Sequence, residues 1–490
     1  MVALSTATLD TLAVPTPSYD RSQVTTGIVH FGVGGFHRSH EAMYLDRLMN
    51  QGKALDWGIC GIGVLPGDRQ MQQVMAAQDC LYTLVLKHPD GHWEPRIVGS
   101  IVQYLYAPDD PDTVIEKLAE PSTRVVSLTV TEGGYNIDHV TGEFDPDAPA
   151  IAADLAPDAV PATVFGLITE ALSRRRARGV PAFTIMSCDN IQGNGTLTRR
   201  AFVAYARLRD PDLADWVNAQ VQFPNSMVDR ITPATTDADR DEIARRYDIN
   251  DAWPVLAEPF DQWVLEDHFT TGRPPLENAG VQLTDHVEPY ELMKLRLLNA
   301  SHQVMSYLGY LAGHRYVDDV TRDPAFTRFL LDYMHREAIP TLSPVPGIDL
   351  NVYCDQLIER FGNAGVRDTL ARNCALTSDR IPVFLLPVIR EQLASGGELT
   401  RAAITVASWA RYGEGVDENG QPIEVIDRLR EQLQPLVQRQ ADDPTAFLSY
   451  RELFGDLIDN PRFVALYTAA LDSLHQRGAA ATVATTNNAD

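Results

Sequence analysis

The 490-residue chain has no run of about 20 apolar residues, which argues against a membrane-spanning helix. It is poor in positive charge, with 41 Lys and Arg against 66 Asp and Glu and a formal net charge of -25. Nucleic acids and anionic membrane surfaces need a basic face, so neither is expected as a partner. Cysteine is scarce. Cys60, Cys80, Cys188, Cys354 and Cys374 are scattered with no close pair. That argues against a disulfide frame or a zinc knuckle and for free thiols in a reducing cytoplasm. The first residues, "MVALSTATLDTLAVPTPSYD", lack a basic stretch followed by an apolar core, so no secretion signal is expected and the cytoplasm is the expected location. No internal repeat or low-complexity block is present.

What remains is ordinary for a soluble globular protein: 44% hydrophobic and 22% charged residues. The length suits two or three domains. Short β-type runs alternate with helical patterns through the first part: Ile28 to Phe31, "DWGICGIGV", "TRVVSLTVTEGGY" and "PAFTIMSCDNIQGNG" as strands, "TVFGLITEALSRRRARG" as a helix. The stretch "YTLVLKHPDGHWEPRIVGSIVQYLYA" reads as a hairpin turning at Pro89-Asp90-Gly91. Such alternation predicts an α/β domain with a largely parallel sheet. After about residue 288 helix-period segments dominate, at 290–313, 324–336, 349–361, 379–395, 400–412 and 443–455. The expected organisation is a Rossmann-type domain over 1–287 and a mainly helical domain over 288–490. The end, "AAATVATTNNAD", reads as a frayed tail.

Several residues could carry chemistry. Gly32, Gly34 and Gly35, with Phe36 and Arg38 behind them, follow a strand and open a helix, the setting in which a backbone approaches a pyrophosphate. His37 occupies the place of a third glycine, and Arg38 could add charge to a phosphate contact. Asp68, after the second strand, is placed to bind an adenosine ribose or to cap the helix that follows. Glu132 and the pair Asp189 and Asn190 end two further strands, so their loops should approach one crevice. His37 and His40 could share a helix face, but two histidines are too few, and no metal is expected. Tyr290 and Lys294 spell Y-x-x-x-K, a short-chain dehydrogenase pattern lying here in the wrong domain.

The segment "YELMKLRLLNASHQVMSYLGYLAG" is apolar apart from Lys294, Asn299 and His302. At about 100° per residue, Asn299 falls about 140° round from Lys294 and His302 about 80° round. The bland reading is a lysine snorkelling to solvent beside two satisfied polar groups. The chemical reading is alcohol oxidation. A desolvated amine has its pKa lowered and can take a hydroxyl proton, while neutral amides such as Asn299 and Asn190 stabilise the alkoxide.

The stretches "HFGVGGFHRSH", "SLTVTEGGYNID", "FTIMSCDN", "FPNSMVDRITP", "PFDQWVLEDHF", "KLRLLNASH", "PVPGIDL" and "GVDENG" closely resemble the polyol-specific long-chain dehydrogenase/reductase family over nearly the whole chain. The resemblance implies a Rossmann-type domain, a helical domain and a site between them. It implies metal-free, NAD-dependent oxidation of D-mannitol to D-fructose by a monomer. Lys294 matches the family's catalytic lysine, Asn190 and Asn299 its oxyanion pair, and His302 its substrate-orienting histidine. Asp229 and Arg372 match residues that hold the polyol, and Glu132 a glutamate that gates proton exchange. Two departures stand out. Arg380 replaces a family lysine at the substrate, and Gly67 replaces an acid before Asp68. Arabinitol, sorbitol and hexuronate are sibling substrates. A 6-phosphogluconate-like or β-hydroxyacid dehydrogenase, and a silent NAD-binding regulator, are the rival readings of the same residues.

Overall fold

The computed structural model describes residues 1–137 and 143–489; Asp138, in one of the quoted stretches, and the C-terminal Asp490 lie outside them. The chain divides into two compact units, Met1–Glu288 and Pro289–Asp490.

The first unit is built on a five-stranded parallel sheet. Its strands are β1 (Thr26–Phe31), β2 (Gly58–Gly63), β3 (Ile101–Tyr106), β4 (Val125–Leu128) and β5 (Thr184–Ser187), in the order β3-β2-β1-β4-β5. The central strands are apolar runs because both faces are covered. Successive side chains point to opposite faces. Ile28, Ile59 and Val125 thus join Leu45, Leu48 and Met75 on one side. Val29, Cys60 and Val126 join Leu118, Leu172 and Phe202 on the other.

The helix Val164–Arg178 starts where the Thr163 side chain accepts the Gly166 amide and stops at Gly179 in the left-handed region. The expected hairpin is present but shorter than read: Tyr82–Lys87 and Trp93–Val98 pair antiparallel, with Gly91 at φ 85° in the turn, whereas Ile101–Tyr106, read with it, is β3 of the parallel sheet. Val255–Ala257 adds to it in parallel. A further sheet sets Gln262–Glu266 between Ser226–Asp229 and Gln282–Thr284.

The second unit is helical. The segment read as one helix over 290–313 is three pieces: an α-turn region Glu288–Met293, a π-helical stretch Lys294–Asn299, and an α-helix Ala300–Leu311. The segment 324–336 likewise becomes Pro324–Asp332 followed by a second π-helical stretch, Tyr333–Ala338. Leu350–Phe361 and Thr400–Gly413 follow the expectation, and 379–395 breaks at Leu385 into two helices.

Two expectations are corrected. The span 443–455 holds only a 3-10 turn, Phe447–Ser449, and four helical residues, Arg451–Phe454. The Asp443 side chain ties itself to Thr445, and Gly455 stops the chain. The tail is no loose end. Ala479–Asn488 is a helix with Ala479 and Val483 buried, and Asn487 Nδ2 donates to the Ala325 carbonyl at 2.8 Å. Alanine-rich sequence with an i,i+4 apolar pair favours this over fraying. All five cysteines are free and buried.

Candidate active site

The turn after β1 needs glycine at its first position. Gly32 has φ +94°, and a Cβ there would collide with the Thr129 carbonyl. Gly34 is exposed, and Gly35 and Phe36 are half-buried at the start of the helix Gly35–Ser39. Backbone stripped of side chains at this point leaves room for a pyrophosphate. Arg38 is placed differently from its sequence reading. It is buried, and its guanidinium donates to the carbonyls of Gly34 and Trp253. It braces the turn from within rather than reaching out to a phosphate.

His30 supports the same turn, a role the sequence reading missed. Its Nε2 lies 2.9 Å from Thr129 Oγ1 and 3.2 Å from the Gly32 carbonyl, which also accepts the Thr129 hydroxyl at 2.7 Å. His37 does not pair with His40. Its ring stacks on His30 at 3.4 Å, and Glu41 Oε2 lies 3.2 Å from the Nδ1 of each. These three are the cluster among the described residues with donor atoms close enough for a metal. Burial draws His37 down to about 3. Burial also pushes the Glu41 carboxyl up, but the two imidazoles outweigh it and hold it well below the usual range. His40 binds the Gln262 carbonyl at 3.0 Å and is drawn down to about 4 by burial.

Asp68 stands at the carboxyl end of β2. One carboxylate oxygen accepts the amides of Val64 and Leu65, each at 2.9 Å, so the side chain ties the loop behind it and Gly67 occupies the cap position. Its neighbour Arg69 lies over the Tyr106 ring at 4.6 Å and pairs with Asp109 at 2.5 Å. The glycine turn and this carboxylate fit the pyrophosphate and ribose of a dinucleotide.

The loops after β4 and β5 are joined by Asp189. Its carboxylate accepts the amides of Val130 (3.0 Å) and Thr131 (2.9 Å) and the Tyr135 hydroxyl (2.7 Å). Burial raises its pKa against those bonds. The clamp holds Thr131 at φ 64°, a strained conformation of the kind that collects at functional sites. Glu132, next in chain, and Asn190, next to the clamp, are both exposed. Asp229 is buried at the end of its strand, opposite Gln262.

In the second unit Lys294, Asn299 and His302 are 7%, 8% and 9% exposed. Lys294 opens the π-helical stretch and Asn299 closes it. The α-helical angle expected between them therefore does not apply. Bonding between residues five apart, as from the Ala300 amide to the Leu295 carbonyl, stacks residue i close to i+5. Lys294 and Asn299 come onto adjoining strips of one face. His302 lies one turn further, edge-on to Phe361 at 4.7 Å, with Nδ1 unpaired. Burial draws it down to about 4; Asp368 opposes this, and Arg372, Arg360 and Arg380 add to it.

Arg372 is held by Asp368 through two bonds of 2.7 Å. Arg380 donates to the carbonyls of Arg372 and Asn373, each at 3.2 Å, so it steadies the short helix Leu370–Cys374 that carries Arg372.

The sheet order, the glycine turn and the carboxylate after the second strand define a Rossmann-type, dinucleotide-dependent oxidoreductase, here joined to a helical unit carrying a buried amine. Residues 26–278 match the mannitol dehydrogenase Rossmann domain and residues 286–475 the mannitol dehydrogenase C-terminal domain. The chain belongs to the mannitol dehydrogenase family. It is 46% identical to a mannitol 2-dehydrogenase of Phaeosphaeria nodorum over 96% of this chain and 83% of that one. It is 44% identical to one of Aspergillus fumigatus over 95% and 94%. The Pseudomonas fluorescens mannitol 2-dehydrogenase, solved as a ternary complex with NAD and D-mannitol, superposes with a TM-score of 0.92 at 46% identity, covering 100% of both chains. A D-sorbitol dehydrogenase structure superposes with a TM-score of 0.90 at 38% identity, over 98% and 100%.

Proposed function

We propose that the protein oxidises D-mannitol to D-fructose with NAD and catalyses the reverse reduction. The observation that carries this reading is the full-length likeness to an enzyme whose structure holds NAD and D-mannitol together. Bound NAD supplies the hydride acceptor. Lys294, a buried amine only 7% exposed, takes the proton of the hydroxyl being oxidised and returns it in the reverse direction. Asn299, set beside it by the π-stretch, donates to the oxygen as charge builds there, and Asn190 is assigned the same task. The unpaired Nδ1 of His302, kept uncharged by burial, suits a substrate hydroxyl. Arg372, pre-set by Asp368, and Asp229 hold the rest of the polyol. Glu132, exposed beside the strained Thr131, passes the proton to water. Arg380 acts on the polyol through Arg372, by steadying its helix. Asp68 reads the adenosine ribose. A monomer in the cytoplasm completes the reading.

The reaction needs no metal, because the amine takes the proton and the asparagine amides stabilise the charge on oxygen; prolonged chelator treatment is expected to leave turnover unchanged. The deciding assay follows NADH absorbance with mannitol, sorbitol, arabinitol and fructose. Mannitol and fructose should give the highest kcat/KM. Preference for sorbitol would move the protein to the sibling activity, and activity confined to hydroxy acids would overturn the reading.

A further inference from the structure

We infer that Tyr333 is a positioning residue for the reaction: its phenol holds open the π-stretch that sets Lys294 beside Asn299. The inference rests on Lys294 being the base. A π-stretch must return to α-helical spacing, and in doing so it passes over one carbonyl. Here the Ala300 amide reaches back five residues to Leu295, and the next carbonyl in line is that of Arg296. The buried Tyr333 hydroxyl donates to that carbonyl at 3.2 Å. A buried carbonyl denied a donor is costly, and regaining α-spacing would be the local remedy.

The same residue is tied a second time. The Arg296 guanidinium donates to the Thr341 carbonyl at 2.6 Å and grips Glu391 at 2.9 and 2.7 Å. Backbone and side chain of Arg296, midway between Lys294 and Asn299, are thus both fastened to the stretch 333–341 or its neighbour. Tyr333 is itself fixed, because it opens the second π-stretch. Glu337 in that stretch accepts the amides of Arg401 (2.7 Å) and Ala402 (2.9 Å) at the start of the helix Thr400–Gly413. One π-stretch is the support of the other. Relaxing the first to α-helix would rotate Asn299 away from Lys294 and separate the base from the group that steadies the alkoxide.

Tyr333→Phe removes one oxygen and keeps the ring. It is expected to lower kcat for mannitol oxidation by up to about 10²-fold, the scale of a misplaced catalytic group. It should also displace the rising limb of the pH–rate profile, which reports the base, and leave NAD affinity unchanged. Tyr467→Phe is the control, since that phenol binds Gln440 at 2.8 Å in the same unit. It should cost stability but keep the wild-type profile. Arg296→Lys, which keeps charge but loses the planar fork, should show the Tyr333→Phe signature more weakly. It serves as the second reading if Tyr333→Phe folds poorly. A Tyr333→Phe enzyme with wild-type kcat and pH profile overturns the inference, as does an Arg296→Lys enzyme with both unchanged when Tyr333→Phe cannot be recovered. If Lys294→Ala keeps its turnover, it is the assignment of the base that has failed.

Discussion

The turn at Gly32–Gly35 and the stretch Lys294–Asn299 solve the same problem by opposite means. The first clears space beside the backbone by removing side chains: Gly32 adopts φ +94° where any Cβ would strike Thr129. The second brings two side chains together by changing helix spacing, without any residue type that demands it. A turn made by deletion depends on each glycine and fails locally. A stretch made by altered spacing depends on outside braces such as Tyr333 and the Arg296 clasp. It should fail from a distance.

The largest expected effect tests the second region directly. Lys294→Ala should lower mannitol oxidation by about 10²-fold or more, with partial recovery on adding small primary amines. Near-normal turnover would remove the lysine from its role. In the first region, Gly32→Ala should weaken NAD binding by about 1–3 kcal/mol through backbone strain, measured by titration. Unaltered binding would mean that the turn can shift away from Thr129. Next comes Asp68→Ala, expected to move the ratio of kcat/KM for NAD and NADP toward NADP by about 1–2 kcal/mol. Asp109→Asn should move it the same way by freeing Arg69, now held at 2.5 Å; an unmoved ratio would leave Asp68 as a tie for its loop alone.

The smallest effect concerns the brace and is read in stability. Burial pushes the Glu337 carboxyl up to about 7, only partly offset by the amides of Arg401 and Ala402. The folded state thus holds this proton more tightly than the unfolded chain. Its contribution is full below the ordinary carboxylate range and is lost as pH rises through about 7. The Tm of Glu337→Gln should therefore gain on wild type by a few degrees between about pH 5 and 8. A constant difference would show that Glu337 does not titrate there.

Much of the first region was legible because residue types announce it. Glycines after a buried strand, a hairpin at Pro89-Asp90-Gly91 and acids at strand ends are local signals. The second region was half-legible. Polar residues crowded into an apolar helix marked Lys294, Asn299 and His302, but their angular relation was misjudged, because a π-stretch has no composition of its own. Asp189 as the clamp of two loops and His30 beneath the turn were hidden because their partners lie about 60 and 100 positions away in the chain. The terminal helix was misread because polar threonines masked its buried Ala479 and Val483.

The placement of the cysteines bears on how the enzyme ages. All five are buried, and burial pushes the thiols up, to about 12 for Cys60 and Cys354 and about 11 for Cys80, with Cys188 and Cys374 raised as well. Thiolate, the form that oxidants and alkylating agents attack, is then almost absent at neutral pH. Oxidation or alkylation of these thiols is therefore expected to follow unfolding, and thiol titration of the native protein should count far fewer reactive groups than titration in denaturant.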